Sequence, residues 1–357
     1  MEYSASLILT AVLAAQPQHL VVLQHGLYGT KANMMVLQQK LHAYGGGRVC
    51  AHLAESNEGR TRDGVAAGGR RLADEIRDVV RKKPTLQTIS LVGNSLGGLY
   101  VRAAAAYILD DKRLQLEPRV LVTTGCPHLG VRRYTYLPLP RFLSPAATLV
   151  AGRTGDELLL RDRPQDNSAV PPLLVEMSEP DGCYGQALSA FSHRRLYANL
   201  VGDFMVPFGT AAIEAGDWGS GVNDATLASA FWGRSEGVRF RNEAVCRGTA
   251  SGVAVVIDQR AKEDIVTVPM RADGADVYEE RMRLGLSSVS WSKVGVAFVG
   301  ATTLLPMAHN RLPALRREGW RRALEYVEQA NQGVDVMEHA AQYILQGLTG
   351  SISTPGA

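Results

Sequence analysis

The stretch LVGNSLGGLYVR, residues 91–102, sets one serine, Ser95, between Gly93 and Gly97 at the end of an apolar run. The pattern G-x-S-x-G carries little alone, since with 36 Gly in 357 residues it arises by chance in about one such chain in five. A second copy, Gly233-Arg234-Ser235-Glu236-Gly237, illustrates this. Context separates the two. Ser95 follows the run TISLV and precedes a helical pattern containing Leu99, Val101, Ala104 and Ile108. That is the strand, turn and helix that expose a nucleophile at the edge of a sheet. A residue in such a turn is strained and leaves no room for side chains two positions to either side, which Gly93 and Gly97 satisfy. Ser235 is followed by VRFRNEAV, strand or loop, and is more simply a residue in a glycine turn.

Outward from this motif, short β-branched runs alternate with longer helical patterns. This predicts the α/β class, with a mostly parallel central sheet flanked by helices. Strands are expected at 19–24 (HLVVLQ), 48–53, 88–92 and 119–124, with helices near 33–42, 65–83 and 99–109. After residue 130 the rhythm breaks into a Pro-, Arg- and Leu-rich stretch, 131–195, with YLPLPRFL at 136–143. It is read as a cap or lid insertion, because a loop this long in a compact domain is usually functional or disordered. The sheet is expected to resume at 196–201, with a two-stranded excursion over 252–269, a last strand at 293–299 and a closing helix at 315–327. The whole chain, 1–357, is read as one domain with its core at about 18–347.

Composition is that of a globular protein, 46% hydrophobic and 20% charged, with a net charge of +3. Such a balance gives no reason to expect nucleic acid as a partner. The four cysteines, Cys50, Cys126, Cys183 and Cys246, form no C-x-x-C pair, so neither a zinc site nor a dithiol centre is expected, and no cofactor. With no N-x-[ST] sequon either, they lean towards an intracellular setting, cytoplasmic or peripherally membrane-associated. The run Ser6 to Ala15 resembles the apolar part of a signal peptide, but Glu2 and the lack of Lys or Arg before it favour a segment packed on the core. No run reaches 18 consecutive apolar residues.

Ester hydrolysis needs a nucleophile, a base, a carboxylate to orient the base, and N–H donors for the developing oxyanion. Asp203 ends the run LYANLVGD, at the C-terminal edge of a predicted strand, where α/β sheets place functional groups; capping of the following turn is the alternative. Asp217 competes but lacks a preceding strand. Among eight histidines, His309 lies in a loop ten residues after KVGVAFV, where the base arrives in a chain with the order Ser, Asp, His. His25 and His128 are read as shaping turns, His42 and His52 as helix-end and strand residues, and His193 as part of the cap's basic edge. The oxyanion donors are expected to be the backbone N–H groups of Leu96 and Leu27, with Gly26 and Gly29 allowing close approach.

With these residues in place, the chain resembles the lipase-like serine esterase family of the α/β-hydrolase superfamily. The resemblance rests on VVLQHGLYGT, ISLVGNSLGGLYVRAA, TTGCPHLGVRR, YANLVGDFMVP and MAHNRL, and spans about 19–330. Relatives most often carry His where this chain has Asn94, and TPH where it has Cys126-Pro127-His128. The resemblance implies cleavage of lipid acyl esters through an acyl-Ser95 intermediate, with different preferences at the mouth of the site. Arg132, Arg133, Arg141, Arg194 and Arg195, among leucines and aromatics, suit either an anionic membrane or lipid-droplet surface or a solvated rim. Two other functions stay open: a thioesterase or acyltransferase on the same triad, and a silent α/β-hydrolase used as a binding module.

Overall fold

The computed structural model describes residues 17–132, 144–162, 170–199, 203, 205–214, 254–260, 274–298, 308–315 and 324–350. Seven strands form one sheet: β1 (His19–Gln24), β2 (Val49–Leu53), β3 (Thr88–Asn94), β4 (Glu117–Thr124), β5 (His193–Asn199), β6 (Ala254–Arg260) and β7 (Ser292–Phe298). Their order is β2-β1-β3-β4-β5-β7-β6. All pairs are parallel except β6–β7, which is antiparallel. The α/β class expected from the sequence, a mostly parallel central sheet flanked by helices, is therefore the one observed.

Alternation along the strands sends side chains to two cores. Leu20, Val22, Ile89, Leu91, Leu121, Leu196 and Ala198 pack on one face with α2 (Val65–Lys82), α3 (Leu96–Leu109), α6 (Cys183–Ala190) and α8 (Gly274–Ser287). Val21, Leu23, Val92, Val120, Val122, Tyr197, Val294 and Val296 pack on the other with α1 (Met35–Gly45) and α10 (Leu324–Thr349). Both faces being covered, the central strands read as near-continuous apolar runs, as parallel sheets require. Each buried Leu, Ile or Val contributes about 1.5–3 kcal/mol.

The crossovers fix where a site can form. From β1 the chain passes through α1 to β2 on one side, then through α2 to β3 on the other. Right-handed connections leading in opposite directions lie on opposite faces, as α1 and α2 do. The C-terminal ends of β1 and β3 thus flank a crevice at the reversal in strand order.

Most predicted elements agree within a few residues, and α3 starts three residues earlier than read, at Leu96. The excursion expected over 252–269 differs: its first half is β6, a full member of the sheet paired with β7 from Ala254 opposite Phe298 to Arg260 opposite Ser292. Its second half, 264–269, lies outside the described residues. The closing helix is described over Leu324–Thr349, while Leu315 lies outside a helix. Within 131–195 are α4 (Ser144–Leu158), α5 (Leu173–Glu176) and α6, and the sheet resumes at His193 rather than 196. His193, Arg194 and Arg195 therefore belong to β5. Arg195 is buried with its guanidinium 3.6 Å from the Tyr343 ring centre, and Arg194 donates to Ser290 and Leu188 carbonyls. Neither lies on a cap surface. Arg132 is exposed; Arg133, Arg141, Asp217, Ser235, Cys246 and 1–16 fall outside the described residues. No described helix is long and apolar enough to cross a membrane.

Helix α2 lies hard against α3. A Cβ on Gly68 would sit 2.3 Å from Tyr100 Cε1, and Tyr100 is fully buried with its hydroxyl donating to the Thr61 carbonyl at 3.0 Å. Alanine favours a helix over glycine by about 1 kcal/mol, but overpacking a ring that cannot retreat costs about 1–3 kcal/mol, so the clash wins. Gly68→Ala is expected to lower the free energy of unfolding in a urea titration; an unchanged midpoint would contradict this contact.

At the opposite end of β1, His19 Nδ1 pairs with Thr88 Oγ1, and Nε2 lies 2.9 Å from Ser90 Oγ. Burial, helped by Arg119, pushes this imidazole down to about 3. The unfolded chain takes up a proton near pH 6.5 and the folded one only near 3, so stability falls as pH drops below 6.5. The thermal midpoint should decline between pH 6.5 and 4, and more shallowly in His19→Gln.

Candidate active site

Ser95 terminates β3 and caps α3 with φ +54° and ψ −128°, a conformation that a residue with a side chain adopts only under constraint. Its N–H donates to the Thr124 carbonyl at 2.7 Å, and its carbonyl accepts from Gly98 N at 2.9 Å. The turn is made possible by missing side chains. A Cβ on Gly97 would lie 2.5 Å from the carbonyl oxygens of Gln24 and His25, and one on Gly26 2.7 Å from Ser95 Cβ. The end of β1, the loop after it and the first turn of α3 therefore touch through backbone.

Asp203 and His309, 106 residues apart in sequence, meet at the C-terminal side of the sheet. Asp203 is 1% exposed, and its Oδ2 accepts from His309 Nδ1 at 2.9 Å. The same oxygen accepts from Asn199 Nδ2 at 2.7 Å, while Oδ1 accepts from Met205 N and Val206 N at 3.1 and 2.9 Å. Four donors around one buried carboxylate stabilise its charge. Asp203 thus bonds the following turn through one oxygen and His309 and Asn199 through the other. His309 lies in the short helix α9 (Ala308–Arg311) rather than in a loop. Its ring rests on Gly125, where a Cβ would be 3.1 Å from Cε1. Gly125 follows Thr124, the acceptor of the Ser95 N–H, so Ser95 and His309 approach the end of β4 from its two sides.

The loop after β1 is pinned at both peptides flanking Leu27. The Gly26 carbonyl accepts from Gly29 N at 3.0 Å and from His25 Nδ1 at 3.0 Å. In a trans peptide the N–H points opposite to the carbonyl, so the Leu27 N–H is turned away from those partners. The next N–H, of Tyr28, donates to Thr61 Oγ1 at 3.1 Å. Neither Leu27 N nor Leu96 N, the first N–H of α3, has an acceptor among the described residues. His25 is fully buried with Nε2 unpartnered; burial lowers its affinity for a proton, consistent with a neutral ring donating through Nδ1.

Several neighbours escaped the sequence reading. Asn199 is one residue of an apolar run, and only its four-residue spacing from Asp203 hints at its contact. Thr124 donates to Asn94 Oδ1 at 2.8 Å, so Asn94 faces β4 and is buried rather than shaping the mouth. Arg102, on α3, is buried with no carboxylate partner among the described residues: it donates to the Met177 carbonyl at 2.9 Å and contacts His128 Nδ1 at 3.3 Å, while His128 Nε2 pairs with Thr123 Oγ1 at 2.9 Å. His128 thus braces the turn after β4.

The family described as "Putative serine esterase (DUF676)" matches residues 14–215. The chain belongs to this family. The match includes Ser95 and Asp203; His309 lies beyond it and is brought in by the fold. The chain is 33% identical over 215 residues to the protein named "Putative lipase C4A8.10" of Schizosaccharomyces pombe, covering 56% of this chain and 27% of that protein. It is 29% identical over 205 residues to "Putative lipase ROG1" of Saccharomyces cerevisiae, covering 55% and 28%. The chain therefore spans little more than a quarter of the length of these relatives. Among solved structures, phospholipase PlaB from Legionella pneumophila aligns with a TM-score of 0.33 at 16% identity, over 51% of this chain and 37% of that one. The RedJ thioesterase of Streptomyces coelicolor aligns with 0.30 at 19%, over 53% and 70%.

The bonding of Asp203 separates its structural role from that of Ser95. Asp203→Ala leaves the Met205 and Val206 N–H groups and the Asn199 amide without their acceptor; at about 1–3 kcal/mol per orphaned group, partly relieved by water, a loss of about 2–5 kcal/mol is expected. Ser95→Ala removes a hydroxyl on which no other described contact depends, and should unfold close to wild type. Equal denaturation midpoints for the two variants would refute the four-donor arrangement.

Proposed function

We propose that the chain is a serine ester hydrolase of lipid acyl esters, in which Ser95 is the nucleophile, His309 the general base and acid, and Asp203 the carboxylate that orients His309. The observation that carries this reading is the buried 2.9 Å bond between His309 Nδ1 and Asp203 Oδ2, with His309 lying against Gly125 and the strained turn of Ser95 bonded to the preceding residue, Thr124. With Nδ1–H given to Asp203, the imidazole presents Nε2 as a base, the tautomer that proton abstraction from a serine requires.

In this reaction His309 Nε2 takes the Ser95 hydroxyl proton as Oγ attacks the ester carbonyl carbon. The carbonyl oxygen becomes an oxyanion that accepts from the N–H groups of Leu27 and Leu96, which have no acceptor among the described residues to give up. Collapse breaks the bond to the alcohol oxygen, which leaves with the proton carried by His309, and an acyl-Ser95 remains. Water then repeats the sequence: His309 removes its proton, the hydroxide adds, and the fatty acid departs as Ser95 Oγ regains a proton. Asp203 stays ionised throughout and stabilises the imidazolium.

Support for a lipid as the acyl donor is the apolar surface next to these groups. Tyr28, following Leu27, is 54% exposed, and Met205, two residues from Asp203, is 42% exposed. Exposed large side chains this close in sequence to Leu27 and Asp203 suit contact with acyl chains or the surface of an aggregate that holds them. The relatives named as lipases point the same way.

Ser95→Ala is expected to abolish both turnover of p-nitrophenyl butyrate and labelling by a fluorophosphonate probe; labelling that survives would sink this assignment. Asp203→Asn, which keeps the size of the side chain but not the tautomer, should lower kcat by about 10³- to 10⁴-fold with KM little changed, as a steady-state kinetic comparison reads directly.

A further inference from the structure

Helix α4 reaches the oxyanion loop through a chain of hydrogen bonds that passes through one residue, Thr61. Thr61 is 2% exposed in the loop between β2 and α2. Its hydroxyl accepts the Tyr28 N–H at 3.1 Å, and its carbonyl accepts from Thr154 Oγ1 of α4 at 2.8 Å and from Tyr100 Oη of α3 at 3.0 Å. Thr154 Oγ1 in turn accepts from Gly64 N at 3.0 Å, and Thr154 N donates to the Arg62 carbonyl at 3.3 Å. One turn further along α4, Glu157 is fully buried and accepts from Val65 N at the start of α2. Helix α2 has neither a side-chain cap nor an acidic residue of its own in its first turn, so α4 supplies the negative charge that a helix N-terminus favours. Gly152, at φ +58°, interrupts α4 where a Cβ would stand 2.8 Å from the Arg62 carbonyl, which lets the two segments meet.

This seam matters because of what it holds. The peptide before Leu27 is fixed within its own loop, by His25 Nδ1 and Gly29 N on the Gly26 carbonyl. The peptide after Leu27 is held from outside its loop, by the Thr61 hydroxyl on the Tyr28 N–H. Tyr28 sits at φ +53°, a left-handed conformation that costs free energy for a residue with a side chain. Without its acceptor, that residue can relax and turn the two peptides it joins; one of them carries the Gly29 N–H that holds the Gly26 carbonyl, and so the Leu27 N–H of the same peptide as that carbonyl shifts with it.

We propose that Thr61 is a positioning residue for the oxyanion loop, and that it transmits the seating of helix α4 to the Leu27 N–H. The proposal rests on the assignment of Ser95, Leu27 and Leu96 made above. Its consequence is that α4 contributes to kcat without touching the reacting atoms.

Wild type, Thr61→Val and Thr61→Ser decide it, compared in steady-state hydrolysis of p-nitrophenyl butyrate and in inhibition by butylboronic acid, whose tetrahedral adduct with a serine places an oxygen where the oxyanion forms. Removal of an oxyanion donor costs about 10²- to 10³-fold in kcat, and its misalignment should cost less. Thr61→Val, which keeps the shape and loses the acceptor, is expected to lower kcat by about 10- to 100-fold with KM nearly unchanged, and to weaken the boronate by a similar factor. Thr61→Ser should restore both. Thr154→Val makes the same test from the α4 side should Thr61→Val not fold, with the same split expected. The proposal is overturned if kcat of the valine variants stays near wild type, if the loss falls on KM, or if Thr61→Ser is as impaired as Thr61→Val. Absence of Ser95-dependent hydrolysis in the wild type is a different result: it rejects the site assignment itself, and this proposal with it.

Discussion

The site depends on the reversal of chain direction across the sheet at β1. A right-handed crossover leads from β1 to β2 over one face, and the next returns past β1 to β3 over the other. Because α1 and α3 depart from neighbouring strands towards opposite faces, the ends of β1 and β3 border a space between them. Two loops border that space, and they carry the groups that matter: the turn at Ser95 and the turn at Leu27. Their separation is set by backbone packed against backbone, through the absent side chains of Gly26 and Gly97. That contact is stiffer than any made through side chains, since a peptide carbonyl in a paired strand has no rotamer to change.

Buried charge is arranged around this space with opposite strategies. Asp203 keeps its negative charge under cover by collecting four donors, only one of them from His309. Arg102 keeps a positive charge in the interior with a carbonyl and a histidine for company; burial lowers it to about 10, still high enough to hold its proton at neutral pH. Desolvation of an unpaired cation is costly, and here it is offset by hydrogen bonds that join α3 to the segment ending at Met177 and to the turn at His128. Polar groups in both places tie together elements that sequence separates widely.

The frame and the core of the site were legible in the sequence because they rest on local signals. Strand-turn-helix context distinguishes Ser95 from a serine in a glycine turn, and an apolar run ending in Asp points to the rim of a sheet. The order Ser, Asp, His then leaves His309 as the natural partner. What stayed illegible depends on pairing across distance. Nothing local says that β6 turns antiparallel to β7, or that Arg194 and Arg195 are strand residues sharing their surroundings with Tyr343 and Ser290. Asn94 stands where relatives most often carry His, and no local signal says that its side chain meets Thr124 on the neighbouring strand. Thr61 and Asn199 are ordinary polar residues whose importance arises only from what folds against them.

The turn at Ser95 is secured by its own N–H and carbonyl and by the thinness of its neighbours, and none of these involves the hydroxyl. Placement and chemistry are therefore carried by different atoms of one residue. The fold provides a mount, and the group fixed on it can be exchanged without rebuilding the mount. With Ser95 read as the nucleophile, a thiol on this mount would keep the same placement, and a methyl group would leave the turn intact without a reacting group. The reacting atom is thus open to a single substitution, while the mount is guarded by glycines at which a side chain has no room.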